Sequence, residues 1–177
     1  MKISVLLPYK ENFTVNSAGA VSLFVNDTCN ESIYQDSTYI FGNTIYKDKL
    51  SKNYINLNLD RNIFQSTSKK YVESFLEFQK DIKTDLIEIH NRPNYIKQIR
   101  KKFDKKIILY FHNDPLTMQG SKTKSERLFL LNNLDKILFN SNWSKDRFFI
   151  DFKNTEILEE KIDVCFQSSS KVKINFK

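Results

Sequence analysis

The chain has few of the residues that break backbones or staple folds. Three glycines and three prolines in 177 residues are too few for a turn-rich β-sandwich. The two cysteines, Cys29 and Cys165, stand far apart and outside any CxxC pair. That spacing excludes a disulfide framework and reads as two reduced, buried thiols. Two separated histidines and scattered carboxylates give no metal-ligand spacing, so no metal is expected. The apolar run at Met1–Pro8 is too short for a secretory signal or a membrane span. A cytoplasmic chain is expected, in which the sequons at Asn12, Asn26, Asn30 and Asn142 are accidental. There is no GxGxxG fingerprint, no Walker A motif and no GxSxG elbow, which excludes the usual dinucleotide, P-loop and serine-nucleophile sites.

Apolar residues make up 40% of the chain and aromatics 14%, with 15 Phe, enough for one domain with a packed core. The net charge of +7 and pI of about 9.3 allow a nucleic acid, an anionic membrane surface or a phosphorylated substrate as partner. The basic residues are dispersed, so a solvated surface accounts for any one cluster equally well.

Short apolar runs alternate with helical patterns along the chain. Strands are expected at Lys2–Leu7, Thr38–Phe41, Tyr54–Leu57, Leu86–Ile89, Lys106–Phe111, Lys136–Asn140 and Lys161–Phe166. Helices are expected from Ser17 or Ala18 to Asn30, over Ser68–Lys83 and Asn94–Phe103, from a capping box at Thr123–Glu126 to Asn132 or Asn133, and from Ser141 or Asn142 onward. The terminal residues Lys171–Lys177 alternate Val172, Ile174 and Phe176. This order predicts a Rossmann-like three-layer α/β/α domain with a mostly parallel sheet, whose ligand lies beyond the carboxyl ends of the strands.

That is where the unusual residues fall. Pro8, Pro93 and Pro115 each follow a strand, as do His90 and His112. Ser17, Ala18 and Gly19 lie between the first strand and the first helix. Small residues there let an anion approach free helix N–H groups, or serve simply as a cap with close packing. His112 ends the most apolar strand. It can bond a phosphate or a sugar hydroxyl, act as a base, or bond its own loop through Asn113 or Asp114. His90 packs at a strand end or joins the site, with Asn91 and Arg92 as exposed contacts. Lys122, Lys124 and Arg127 offer cations near Ser121, with Arg127 one turn into its helix and able to face the cleft, or simply form a solvated helix face.

The segments KISVLLP with Ser17–Ala20, LIEIHNRP, KIILYFHNDP, GSKTKSER and DKILFNSNWSKDRF, in this order, span nearly the whole chain. Together they resemble the N-terminal half of a GT-B glycosyltransferase of the large retaining group (family 4) related to lipopolysaccharide and sucrose-type enzymes. The resemblance implies a nucleotide-sugar donor and a glycan or lipid-linked acceptor, in cell-surface polysaccharide biosynthesis. It places Ser17, Ala18 and Gly19 at the donor phosphates and His112 at the donor sugar as the catalytic residue. It assigns Asn91, Arg92, Asn113, Asp114, Ser121, Arg127 and Ser141 to substrate or acceptor binding. No cofactor beyond the nucleotide sugar is implied, and the membrane contact would be peripheral, at an anionic inner face.

The glutamate-pair motif of that group's second domain has no counterpart here. Residues 1–167 are expected to be the acceptor-side domain and 168–177 the start of a linker to a donor-binding domain, supplied in cis or in trans. The isolated chain is then expected to be inactive. A non-enzymatic nucleotide- or phosphate-binding α/β module is the alternative, and would not need His112. A nucleic-acid binder ranks last, because most aromatics lie on core stripes.

Overall fold

A computed structural model of the chain describes residues 1–59, 66–153 and 159–167. Its strands are β1 (Ile3–Leu6), β2 (Thr38–Gly42), β3 (Tyr54–Asn56), β4 (Leu86–His90), β5 (Lys106–Phe111), β6 (Lys136–Phe139) and β7 (Ile162–Val164). Its helices are α1 (Ala20–Asn30), α2 (Thr67–Ile82), α3 (Ile96–Arg100), α4 (Lys124–Asn133) and α5 (Asn142–Phe148). The strands form one seven-stranded sheet, parallel throughout, in the order β3-β2-β1-β4-β5-β6-β7. From β1 the chain winds outward to β3, then returns to the other flank of β1 and winds outward to β7. The order therefore reverses between β1 and β4, and the loops leaving those two strands part over a crevice.

Alternation along each strand sorts the core into two clusters. Leu6, Ile87, Ile89, Leu109, Phe111, Ile137 and Phe139 face Tyr71, Val72, Phe75 and Leu76 of α2, Ile96 and Ile99 of α3, and Leu130 and Leu131 of α4. Val5, Leu7 and Ile40 face Val21, Val25 and Cys29 of α1, with Phe13. Each fully buried side chain of this size contributes about 1.5–3 kcal/mol, so the larger cluster dominates stability.

Local chemistry sets the helix ends. At α4 the capping box forms in both directions: Glu126 N donates to Thr123 Oγ1 at 3.2 Å, and Thr123 N donates to Glu126 Oε2 at 2.9 Å. Ser141 caps α5, accepting from Ser144 N at 3.1 Å. Three expectations are corrected. α1 begins at Ala20 with Gly19 as its N-cap, not at Ser17 or Ala18. The helix expected over Asn94–Phe103 is a 3₁₀ turn at Pro93–Tyr95 followed by the short α3, Ile96–Arg100. Cys29 is buried and Cys165 exposed, and both are free thiols. The expected alternation over 171–177 lies outside the described residues.

Candidate functional site

Three loops converge beyond the carboxyl ends of β1, β4 and β5. Each contains a residue with positive φ: Lys10 at 64°, Asn91 at 52° and Gly120 at 95°. Such backbones fix sharp turns, and they gather at sites where side chains must be aimed.

In the β1 loop, Ser17 is exposed and Ala18 and Gly19 half-buried. The N-terminus of α1 is already served by an anion from within the chain. Glu11 Oε1 accepts from Ser22 N at 3.3 Å. A Cβ on Gly19 would lie 1.9 Å from the same oxygen, so the glycine makes room for that carboxylate. Glu11 is the group that sequence reasoning missed here. It lies eleven residues before Ser22 in a polar loop, with no local pattern to reveal the contact.

The β4 loop starts at Asn91, whose Oδ1 accepts the His112 backbone N–H at 2.7 Å while its own N–H donates to Tyr110 O at 2.9 Å. Asn91 is thus a buried clasp between β4 and β5. Arg92 is half-buried and donates to Asn91 O at 2.8 Å. No carboxylate among the described residues pairs with it. Its positive charge reaches the buried Tyr95 and Tyr71 hydroxyls, both of which burial pushes up.

His112 follows β5 and is 8% exposed. Its ring stacks on Tyr110 at 4.3 Å between centroids, and Phe24 of α1 meets its edge at 5.2 Å. His112 Nε2 lies 2.8 Å from His90 Nδ1, and the Gln167 side-chain amide reaches His112 Nδ1. Burial, and secondarily His90, pushes the His112 pKa down from 6.5 to about 3, so the imidazole is neutral at physiological pH. Asn140 Nδ2 donates to His112 O at 2.7 Å, fixing the residue from the β6 side as Asn91 does from the β4 side.

Of the remaining predicted residues, Asp114, Ser121, Arg127 and Ser141 bond the surrounding scaffold. Asn113 is exposed. Asp114 Oδ1 accepts from Leu116 N at 3.0 Å, and its carboxylate pairs with Arg147, with Nη2 at 3.0 Å from Oδ2. Burial pushes that carboxyl up, but Arg147 and the Leu116 N–H together hold it below its usual value. Ser121 is fully buried and donates to Pro115 O at 2.5 Å. Arg127 is 1% exposed and donates to Lys122 O at 2.9 Å and Ile150 O at 2.8 Å. Its guanidinium bonds backbone carbonyls and does not line the crevice. Ser141 caps α5 and donates to Asn140 Oδ1 at 3.3 Å.

Beyond the strand ends, Glu11 and Gly19 thus meet at the start of α1, and His90, Asn91 and His112 are joined across β4 and β5 with Arg92 next in the chain, while Ser121 and Arg127 are held apart in the scaffold. Two depressions flank the crevice. A cavity of about 190 Å³ lies under α1 and shares Phe24, Glu88 and Tyr110 with the wall behind the histidines. Another, of about 370 Å³, lies between Asn94, Lys97 and Gln119 and the start of α4. Among the described residues no three His, Cys, Asp or Glu side chains gather as a metal site, and no helix is long and apolar enough to cross a membrane.

The fold, with its crevice at the strand-order reversal, defines a Rossmann-like α/β domain of the kind found in GT-B enzymes. Solved structures place the likeness more closely. Sucrose-phosphate synthase of Thermosynechococcus elongatus matches 96% of this chain over 49% of its own, at 12% identity and a TM-score of 0.62. UDP-GlcNAc 2-epimerase of Neisseria meningitidis, solved with UDP-GlcNAc bound, matches 93% over 46%, at 10% identity and a TM-score of 0.58. MurG of Acinetobacter baumannii matches 95% over 46%, at 8% identity and a TM-score of 0.52. The chain spans about half the length of each of these three proteins. At such identities the likeness is one of fold. No family model matches the sequence, and no curated protein matches it.

Proposed function

We propose that this chain is the acceptor-side half of a retaining glycosyltransferase that moves a sugar from a nucleotide-sugar donor to a glycan or lipid-linked acceptor, in the synthesis of cell-surface polysaccharide. The observation that carries the reading is the crevice at the strand-order reversal, where the loop after β4 supplies Arg92, paired with no carboxylate among the described residues, and the end of β5 supplies a neutral, clasped His112. The GT-B-like fold of the solved neighbours supports the same reading.

In this reading the reaction is displacement at the anomeric carbon with retention, without a metal. His112, being neutral, faces the sugar and not the leaving diphosphate. Arg92 supplies a fixed positive charge on the β4 side of the crevice. Glu11 takes up the N–H group that a phosphate would otherwise use, so the diphosphate must be held mainly by the second domain.

Calorimetric titration with UDP-GlcNAc and UDP, beside a turnover assay, tests the proposal. The isolated chain is expected to bind UDP-GlcNAc weakly and to transfer no sugar. Arg92→Ala should weaken binding, while Glu11→Gln should strengthen binding of UDP roughly three- to tenfold, about 0.6–1.4 kcal/mol, by removing a like charge from the helix end. Robust turnover by these 177 residues would overturn the half-enzyme reading. Indifference of both ligands to Arg92 and Glu11 would overturn the crevice as their site.

A further inference from the structure

The reading above leaves without a role His90, the partner of His112, and Glu88, the partner of His90. Alternation puts Glu88 and His90 on one face of β4, and Tyr110 and His112 on the same face at the end of β5. The strand register sets His90 beside Tyr110, and the next inward-facing residue, His112, comes within 2.8 Å of it, Nε2 to Nδ1. A hydrogen bond between two imidazoles needs one nitrogen that carries a proton and one that is bare. The far end of His90 decides which is which. Its Nε2 is fully buried and lies 3.0 Å from Glu88 Oε1. The N–H does not point straight at that oxygen, so the contact is an electrostatic one more than a well-aimed hydrogen bond. A carboxylate at that distance still holds the proton on Nε2, since the other tautomer would turn a lone pair toward an anion. His90 Nδ1 is then bare, His112 Nε2–H donates to it, and His112 Nδ1 is left bare toward the crevice.

We propose that Glu88 and His90 are positioning residues that fix His112 as its Nε2–H tautomer and so present Nδ1 as an acceptor for a hydroxyl of the bound ligand. This rests on the nucleotide-sugar reading only for the identity of the ligand. A bare Nδ1 accepts from a sugar hydroxyl and repels phosphate oxygens. The Gln167 amide stands at that nitrogen, in the place the hydroxyl takes.

Long-range proton–nitrogen spectra of the ring nitrogens test the proposal directly. The chain has two histidines, and His112→Gln assigns them. In the ligand-free protein near pH 7, both rings are expected as Nε2–H with bare Nδ1. Glu88→Ala should convert His112 from that single form to a mixture containing Nδ1–H. A wild-type His112 protonated on Nδ1 overturns the proposal, with no variant needed. So does a Glu88→Ala protein whose ring signals match wild type, whereas a purely structural Glu88 would shift the melting point and leave the rings unchanged. Adding UDP-GlcNAc should move the His112 Nδ1 signal, and UDP alone should not. Equal shifts with both ligands overturn the hydroxyl assignment. No shift with either overturns the nucleotide-sugar reading, while the tautomers stand or fall on the ligand-free spectra.

Discussion

Burial, and then the neighbouring His90, pushes the His112 imidazolium down to about 3, from an ordinary value of 6.5. Between those two values the unfolded chain binds a proton at His112 that the folded chain refuses. The stability this group contributes is therefore fully present above pH 6.5 and is lost as the pH falls toward 3, at up to about 1.4 kcal/mol per pH unit. Urea unfolding at pH 7.5, 6.5 and 5.5 should show a midpoint that falls across the last two values. His112→Gln should remove most of that slope. The carboxylates add their own loss only at lower pH; Asp114, held below its usual value by Arg147, acts there. A wild-type midpoint that stays level from pH 7.5 to 5.5 would refute the burial argument. Residue identity alone marked His112 as unusual, because it ends an apolar strand. Its neutrality was not legible, since it comes from the closeness of Phe24, Tyr110 and His90 across three elements.

At the scale of elements, α2 ends on Lys83 with φ 53° and ψ 53°, a left-handed conformation that glycine adopts freely and lysine does not. Its backbone N–H still closes the helix on Gln79 O. Lys83→Gly should stabilise the protein by about 0.5–1 kcal/mol, read as a higher melting temperature, because the exposed side chain makes no hydrogen bond or ion pair among the described residues. A lower melting temperature would mean that the left-handed cap carries no strain. Elements such as α2 and α4 were legible because their signals are local: an apolar stripe with three- and four-residue spacing, and a threonine three residues before a glutamate. The ends of α1 and α3 were not. The start of α1 is met by a carboxylate eleven residues before Ser22, and the chain before α3 takes the tighter 3₁₀ hydrogen bonding over Pro93–Tyr95, which side-chain periodicity does not distinguish from an α-helical turn. The pairing of the histidines had a readable half. Glu88 and His90, like Tyr110 and His112, are two apart and share a strand face. The missing half was that β4 and β5 lie side by side, which only the assembled sheet supplies.

Over the whole molecule, the strand order ranks how firmly each part of the crevice is held. β1, β4 and β5 are flanked on both sides by partners and largely buried, whereas β3 and β7 are three-residue edges with no buried residue. Among the described residues, α2, α3, α4 and α5 cover one face of the sheet and α1 alone covers the other, over β1 and β2 with Phe24 reaching the ends of β4 and β5. A parallel sheet is most stable where both faces are covered, so opening should begin at the β7 flank and spare the centre. Amide hydrogen exchange should therefore be slowest in β1, β4 and β5, and orders of magnitude faster in β7. Protection should also extend one residue past the end of β5. The His112 N–H donates to the buried Asn91 Oδ1 at 2.7 Å, and the Asn91 N–H donates to Tyr110 O. Asn91→Ala removes that clasp and asks alanine to hold a φ of 52°. It should release the His112 amide to exchange while β1 stays protected. Equal protection in β7 and β4, or an unchanged His112 amide in Asn91→Ala, would show that the crevice is not fixed by the sheet's centre. The expected pattern would mean that the histidine is held in place by the most stable part of the fold, so that it is pre-aimed before any ligand arrives.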